Sequence, residues 1–405
     1  MNKNILFLNY QMPFSNTAHS ICFTNLFYRF MDHFEEDKDN NKNIRIYLLG
    51  LNTQPSEMEE LNANFEYFKR AYSDKIQYSL IKRKFRYLNN KLNIVFAFFE
   101  FIRSAWILRQ YVKRNNIQTV FCYSDSAFFL ILFCFSFKVK FIFDCKGDRL
   151  SELKYNRRSN IFIKLNAIYM NFLVRRTSKI FISSSKLKEI FKIHSNSTIF
   201  VINTNYYDDK FIKYSERTSN NDKTRFVYSG STIKYQMIDE TLLFFKYYHE
   251  KQNNSELLLL IRDNTELIKK RIKELELDPN SVILSFAPSL KELNEQLLNC
   301  DIAIMLREES PLNYYAFPTK FAEYLASGLP IILTKGVYDT WKIIFDQALG
   351  VIIDLNNPLR SEVTKVEDFI QNIDLKLKCR CADFSLQKLS WSNNISRIYH
   401  EIIEL

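Results

Sequence analysis

The stretch FPTKFAEYLASGLPIIL, residues 317–333, decides how this chain is read, because it spells a helix start, a polar helix face, a helix stop and a buried strand. Pro318 suits the first helical position, where a missing N–H removes no hydrogen bond. The free N–H groups of the following turn form a local anion site, reinforced by the helix dipole and by the mobile charge of Lys320. Glu323 lies three residues after Lys320 and Ser327 four further on, so the three share one helix face while Phe321 and Leu325 point to another. Gly328 fits the left-handed residue that ends a helix, and Pro330 blocks continuation before the apolar strand 331–333. The letters describe an anion site with a carboxylate one turn behind it, within reach of hydroxyl groups. An ordinary helix-to-strand junction with a solvated Lys and Glu would be written in much the same way.

Outward from this stretch, strand and helix patterns alternate. Strands are expected at 5–9, 44–50, 119–123, 139–144, 180–183 and 199–202, then at 226–229, 257–261, 282–286, 302–306 and 331–333. Helical periodicity marks 21–34, 88–114, 239–250 and 290–298, with a loop over 11–20. Such alternation predicts parallel sheets covered on both faces. The polar segment 206–224 reads as a linker. The expected fold class is therefore α/β, with two Rossmann-like domains, 1–205 and 206–389, facing a cleft. An amphipathic segment at 390–405, carrying Trp391, Ile395, Ile398, Tyr399 and Ile402, is expected to pack back on the first domain.

Composition supports a folded chain of two or three domains: 405 residues, 47% hydrophobic and 25% charged. The net charge of +11 is unevenly shared. Residues 1–205 hold 31 Lys and Arg against 16 Asp and Glu, whereas residues 206–405 hold 25 against 29. Residues 82–114 carry nine basic residues and one acid, interleaved with Phe96, Phe98, Phe99, Phe101, Ile102 and Trp106, and 154–179 repeat the theme. That mixture suits an anionic membrane surface, at roughly 1 kcal/mol per well-placed basic residue. A solvated helix face is the plainer alternative. No nucleic-acid module accompanies the charge, so no nucleic-acid partner is expected. Seven cysteines without a CxxC pair read as reduced packing residues. The longest apolar run, 127–137, is roughly half the length needed to cross a bilayer and reads as a buried helix. With no basic start or cleavage site at the N-terminus, a cytoplasmic location is expected.

Strand 226–229 runs into Gly230-Ser231-Thr232-Ile233-Lys234, a turn whose glycine permits close backbone approach and whose lysine can reach a diphosphate. It has neither the Walker spacing nor GxGxxG, which removes the main support for a kinase or a dehydrogenase. Taken in order, the second half resembles the family 4 type of GT-B glycosyltransferase. FVYSGS (226–231) is similar to that family's first C-domain strand and phosphate loop, DIAIMLR (301–307) to the strand before its donor site, and PTKFAEYLASGLPII to its donor-site helix. WSNNISRIYHEI (391–402) is similar to the helix that crosses back to the N-domain. In the first half, FDCKGDRLSE (143–152) resembles the D-x-RG…E segment of bacterial polysaccharide members, and INTNYYDDKF (202–211) the interdomain segment. Three departures stand out. Tyr315 occupies the first acid of the family's E-x7-E pair, Ser231 the arginine after the loop glycine, and Lys146 the arginine of D-x-RG.

The resemblance implies a retaining, metal-independent transfer of sugar from a nucleotide-diphospho-sugar to a lipid-linked saccharide. The setting would be capsule, O-antigen or other cell-surface polysaccharide assembly at the inner face of the plasma membrane. Donor binding would fall to Gly230, Ser231, Lys234, Arg262, Arg307, Pro318, Thr319, Lys320 and Glu323, with Glu323 on the ribose. Asp144 and Lys146 take the catalytic or sugar-orienting role, although an Asp at a strand end also suits a cap for the next turn. Phe14, Ser15 and His19 lie where the family receives acceptors. No cofactor is implied, and no His, Asp or Glu cluster has metal-ligand spacing. Two rivals stay open. A non-catalytic GT-B-like partner of a polysaccharide complex would suit Tyr315. A GT-B-fold UDP-sugar 2-epimerase should show His-rich and acidic segments, whereas the five histidines here are unclustered.

Overall fold

The computed structural model describes residues 3–9, 18–37, 43–53, 72, 76–82, 93–134, 138–191, 199–202, 206–207, 223–262 and 264–405. The chain divides into two compact units, Met1–Asn203 with Ile395–Leu405, and Thr204–Asn394.

Unit 1 runs β1 (Lys3–Asn9), α1 (Ala18–Glu36), β2 (Ile44–Thr53), β3 (Ile76–Lys82), α2 (Asn93–Arg114), β4 (Thr119–Tyr123), α3 (Ser124–Phe128), β5 (Lys140–Cys145), α4 (Arg149–Tyr155), α5 (Asn160–Val174), β6 (Lys179–Ile182), α6 (Leu187–Phe191) and β7 (Ile199–Ile202). Its strands form one parallel sheet in the order β3-β2-β1-β4-β5-β6-β7. β1 is apolar without alternation because both faces are covered; Ile5, Leu6, Phe7 and Leu8 are all fully buried. Phe7 packs against Phe27, Phe30 and Phe121 with ring centroids 4.8–5.2 Å apart, which seats α1 on the sheet.

Unit 2 runs β8 (Thr224–Gly230), α7 (Ile238–Lys251), β9 (Ser255–Ile261), α8 (Thr265–Glu274), β10 (Val282–Ser285), α9 (Leu290–Leu298), β11 (Ile302–Met305), α10 (Pro311–Tyr314), α11 (Thr319–Ala326), β12 (Ile331–Leu333), α12 (Tyr338–Gln347), β13 (Gly350–Ile352), α13 (Leu359–Gln371) and α14 (Leu375–Leu389). The parallel sheet has the order β10-β9-β8-β11-β12-β13. Neighbouring residues feed opposite cores: Val227, Leu258, Ala303 and Ile331 enter one, Phe226, Leu257, Ile302 and Ile332 the other. In each sheet the order reverses beside the first strand, between β1 and β4 and between β8 and β11. Open α/β sheets bind ligands at such switch points, outside the carboxyl ends of the strands.

The last helix, α15 (Ile395–Ile403), belongs to unit 1. Ile398, Tyr399 and Ile402 are fully buried, and the Tyr399 ring lies 5.2 Å from Phe30. Lys179 Nζ donates to the Glu401 carboxylate at 2.6 Å and to its carbonyl at 2.8 Å. The helix begins five residues later than 390, because Ser390 and Asn394 spend their polar groups on local bonds: Asn393 N–H donates to Ser390 Oγ and Asn394 Nδ2 to the Ser390 carbonyl. Trp391 therefore stays with unit 2, its ring 4.9 Å from Tyr206.

Other expectations shift as well. Tyr206 and Tyr207, read as linker, are buried, and Tyr207 bridges to Ser390; 208–222 lie outside the described residues, as do 83–92 of the basic region. The apolar run from 127 divides into the end of α3 and a 3₁₀ segment, Phe129–Cys134. Among the described residues no helix is long and apolar enough to cross a membrane. None of the seven cysteines is in a disulfide, and five are buried.

Candidate functional site

The end of β8, the end of β11 and the start of α11 meet at the switch point of unit 2. A Cβ on Gly230 would stand 2.5 Å from Lys320 Nζ and 2.7 Å from both Gln236 Oε1 and the Tyr228 hydroxyl, so the loop glycine is what lets the lysine lie over the backbone. Lys320 Nζ donates to Gln236 Oε1 at 2.9 Å, and Gln236 Nε2 donates to Ser231 Oγ at 2.9 Å. The Tyr228 hydroxyl closes the loop on the Ser231 carbonyl at 2.7 Å. Ser229 N–H donates to the Tyr324 hydroxyl at 2.7 Å, which ties α11 to the end of β8.

Arg307 follows β11 and is 5% exposed, hydrogen-bonded through its own N–H to Thr334 Oγ1 at 2.9 Å. Burial pulls its guanidinium pKa down, and Tyr228, Tyr324 and Tyr235 oppose this. Burial, and then the charge of Arg307, push the Lys320 ammonium well below its ordinary value, with Glu323 acting in the other direction. Glu323 lies within reach of the Lys320 charge, and burial lifts its carboxyl to about 7 against that pull. Both residues keep some accessible surface even though their charged ends are crowded by protein. The Lys320 bond goes to a neutral amide and not to a carboxylate. Burial thus disfavours the charged form of all three groups, and an anion bound beside Lys320 and Arg307 would favour their protonated forms.

Of the expected donor residues, Gly230, Ser231, Arg307, Lys320 and Glu323 come together here. Pro318 is corrected by one position: it is the N-cap, with extended backbone (φ −69°, ψ 132°), and Thr319 opens the helix. Its carbonyl accepts from Phe321 N–H at 3.1 Å, which a residue one step before the helix can do. Ser327 leaves the Lys320 face and is buried, accepting from Asn294 Nδ2 at 3.2 Å. Gly328 holds φ 73°, as expected of the helix stop. Lys234 is exposed on the 3₁₀ turn Lys234–Gln236, and Gln236 is the residue of that turn that reaches Lys320. At three residues per turn, positions two apart cannot face the same way. Arg262 is exposed after β9, its guanidinium 5.9 Å from the Phe286 ring. Gln236, Tyr228 and Tyr324 carried no charge to mark them in the sequence.

In unit 1, Asp144 is the next-to-last residue of β5 and fully buried, with Lys146 Nζ 3.2 Å from its carboxylate and 5.4 Å from the Tyr123 ring centroid. The cap of the next helix is Asp148, which accepts from Leu150 N–H at 3.0 Å, so Asp144 is not used as a cap. Phe14 and Ser15 lie outside the described residues. His19 falls in the first turn of α1, not in a loop, and its side chain lies outside the described residues. Among the described residues no group of three or more His, Cys, Asp or Glu is arranged to hold a metal.

Residues 209–380 match the family model described as glycosyl transferases group 1. Unit 2 is a group 1 glycosyltransferase domain. Solved structures extend the likeness to the whole chain. HepE (Alr3699) of Anabaena, in complex with UDP and glucose, matches with a TM-score of 0.66 at 12% identity over 100% of each chain. Sucrose-phosphate synthase (tll1590) from Thermosynechococcus elongatus matches with 0.71 at 11% identity, again over 100% of each. WaaG, a glycosyltransferase involved in lipopolysaccharide biosynthesis, matches with 0.59 at 12% identity over 98% of this chain and 99% of its own. At these identities the likeness carries the fold: two Rossmann-like domains in the GT-B architecture. No curated protein matches this glycosyltransferase in sequence.

Proposed function

We propose that this glycosyltransferase takes its sugar from a nucleotide-diphospho-sugar and that the Gly230–Lys320–Arg307 cluster grips the diphosphate. The observation that carries this reading is Lys320 Nζ lying over the loop glycine at the sheet's switch point, held by a neutral amide. HepE has been solved with UDP and with UDP-glucose, which supports a donor of that class. In the transfer, the bond from the anomeric carbon to the diphosphate oxygen breaks and its electron pair leaves with the diphosphate. The acceptor hydroxyl oxygen bonds to the anomeric carbon, and its proton passes to the departing diphosphate oxygen. Lys320 and Arg307 stabilise the charge that grows on the leaving group, without a metal. Glu323 holds the ribose hydroxyls, Asp144 and Lys146 orient the reacting groups, and configuration is retained.

The acceptor we assign is a lipid-linked saccharide of surface-polysaccharide assembly, met at the inner face of the plasma membrane. Support comes from the excess positive charge of residues 1–205 and from the fold shared with WaaG. A screen of UDP-, GDP- and CMP-sugars for binding and hydrolysis, with Lys320→Ala and Glu323→Ala as controls, tests the donor site. Unchanged activity in both variants would remove it, and donor binding without turnover would favour a non-catalytic partner.

A further inference from the structure

The helix α5 turns an apolar stripe to solvent. Ile161, Leu165 and Ile168 are 73%, 58% and 67% exposed, Phe172 continues the line, and the spacing of four, three and four keeps all four on one face. A soluble helix normally buries such a stripe. Beside it runs a groove of about 1060 Å³, lined by Phe98 and Phe101 of α2, Phe129, and Leu165 and Phe172 of α5 itself, with Arg149 and Arg158 supplying its charge. Arg157 and Arg158 precede the helix and Arg175 and Arg176 follow it, the Arg176 guanidinium 4.0 Å from the Phe172 ring centroid. Residues 153–188 contain nine Lys and Arg and no Asp or Glu.

We propose that α5 lies in the surface of an anionic bilayer and that the groove beside it takes a lipid hydrocarbon chain. The stripe matches the acyl layer, and the cations at both ends of the helix match the headgroups. A second copy of the same face would set like charges against each other, which disfavours a homodimer there. This deepens the lipid-linked acceptor reading and rests on it for its role in transfer, whereas its test does not involve the donor site.

Full-length protein is floated with vesicles of phosphatidylcholine, with and without phosphatidylglycerol, while UDP binding and the melting temperature are followed on the same samples. Binding to the anionic vesicles is expected, falling about tenfold or more in Ile161→Ser/Leu165→Ser/Ile168→Ser, with melting and UDP binding unchanged. Leu165→Ser alone replaces the triple variant if that misfolds, with a smaller loss expected. In a Phe172→Trp variant, lipids brominated in the acyl chain should quench the new fluorescence. Failure of the wild-type chain to float, flotation of the serine variants at the wild-type level, or self-association through this face in place of lipid binding would each overturn the proposal. Loss of UDP binding in the wild-type chain would count against the donor reading alone.

Discussion

Gly230 and Lys320 depend on each other at the level of single atoms. In Gly230→Ala the new methyl would meet the ends of the Lys320, Gln236 and Tyr228 side chains. Those ends can swing aside, so we expect a stability loss of only about 1 kcal/mol, with UDP affinity falling about tenfold or more as the lysine leaves the loop. Calorimetric titration beside a thermal melt separates the two effects, and equal losses of both would mean that the glycine serves folding alone. Glu323 gives a second handle. Its carboxyl is raised to about 7 by burial, so the folded chain binds the proton more tightly than the unfolded chain. Its contribution to stability is therefore complete below the ordinary Glu range and is lost as pH rises through about 7. In Glu323→Gln the melting temperature of the ligand-free protein should fall less steeply across that window; identical slopes would show that this carboxyl is not the titrating group.

Legibility was greatest for whole elements and least for side-chain partners. Three strands, 119–123, 199–202 and 331–333, and the helix 290–298 have the boundaries their apolar runs mark. β3 was hidden because IQYSLIK alternates weakly beside a basic segment, and β13 because three residues, GVI, make too short a run to carry a period. The place of Lys320 in the first turn of α11 was readable from Pro318 before it. Its support by Gln236 was not, since a charged neighbour, Lys234, drew the assignment and only the 3₁₀ geometry separates the two. The stop of α11 was plain in the letters and can be tested as such. Gly328 sits at φ 73°, so Gly328→Ala should cost about 1 kcal/mol through backbone strain alone. Denaturant melts should show the loss with an unchanged m-value, and a neutral substitution would mean that the turn can relax.

At the scale of the molecule, the chain completes unit 2 and then returns its last eleven residues to unit 1. Ile395, Ile398, Tyr399 and Ile402 are buried there, against α1 and its neighbours. At about 1.5–3 kcal/mol for each buried side chain, the four contribute about 6–12 kcal/mol. That is as large as the net stability of a typical domain, about 5–15 kcal/mol. Lys179 would also lose the Glu401 carboxylate and carbonyl that hold its buried ammonium. A chain ending at Asn394 should therefore lose the melting transition of unit 1 and expose apolar surface to dye. Unit 2 contains every residue of the proposed donor cluster and none of α15, so its own transition should survive and, on that proposal, still rise with UDP. If both transitions persist, α15 is an ornament on unit 1; if both vanish, the two units fold as one cooperative body and the boundary at 394 has no thermodynamic meaning.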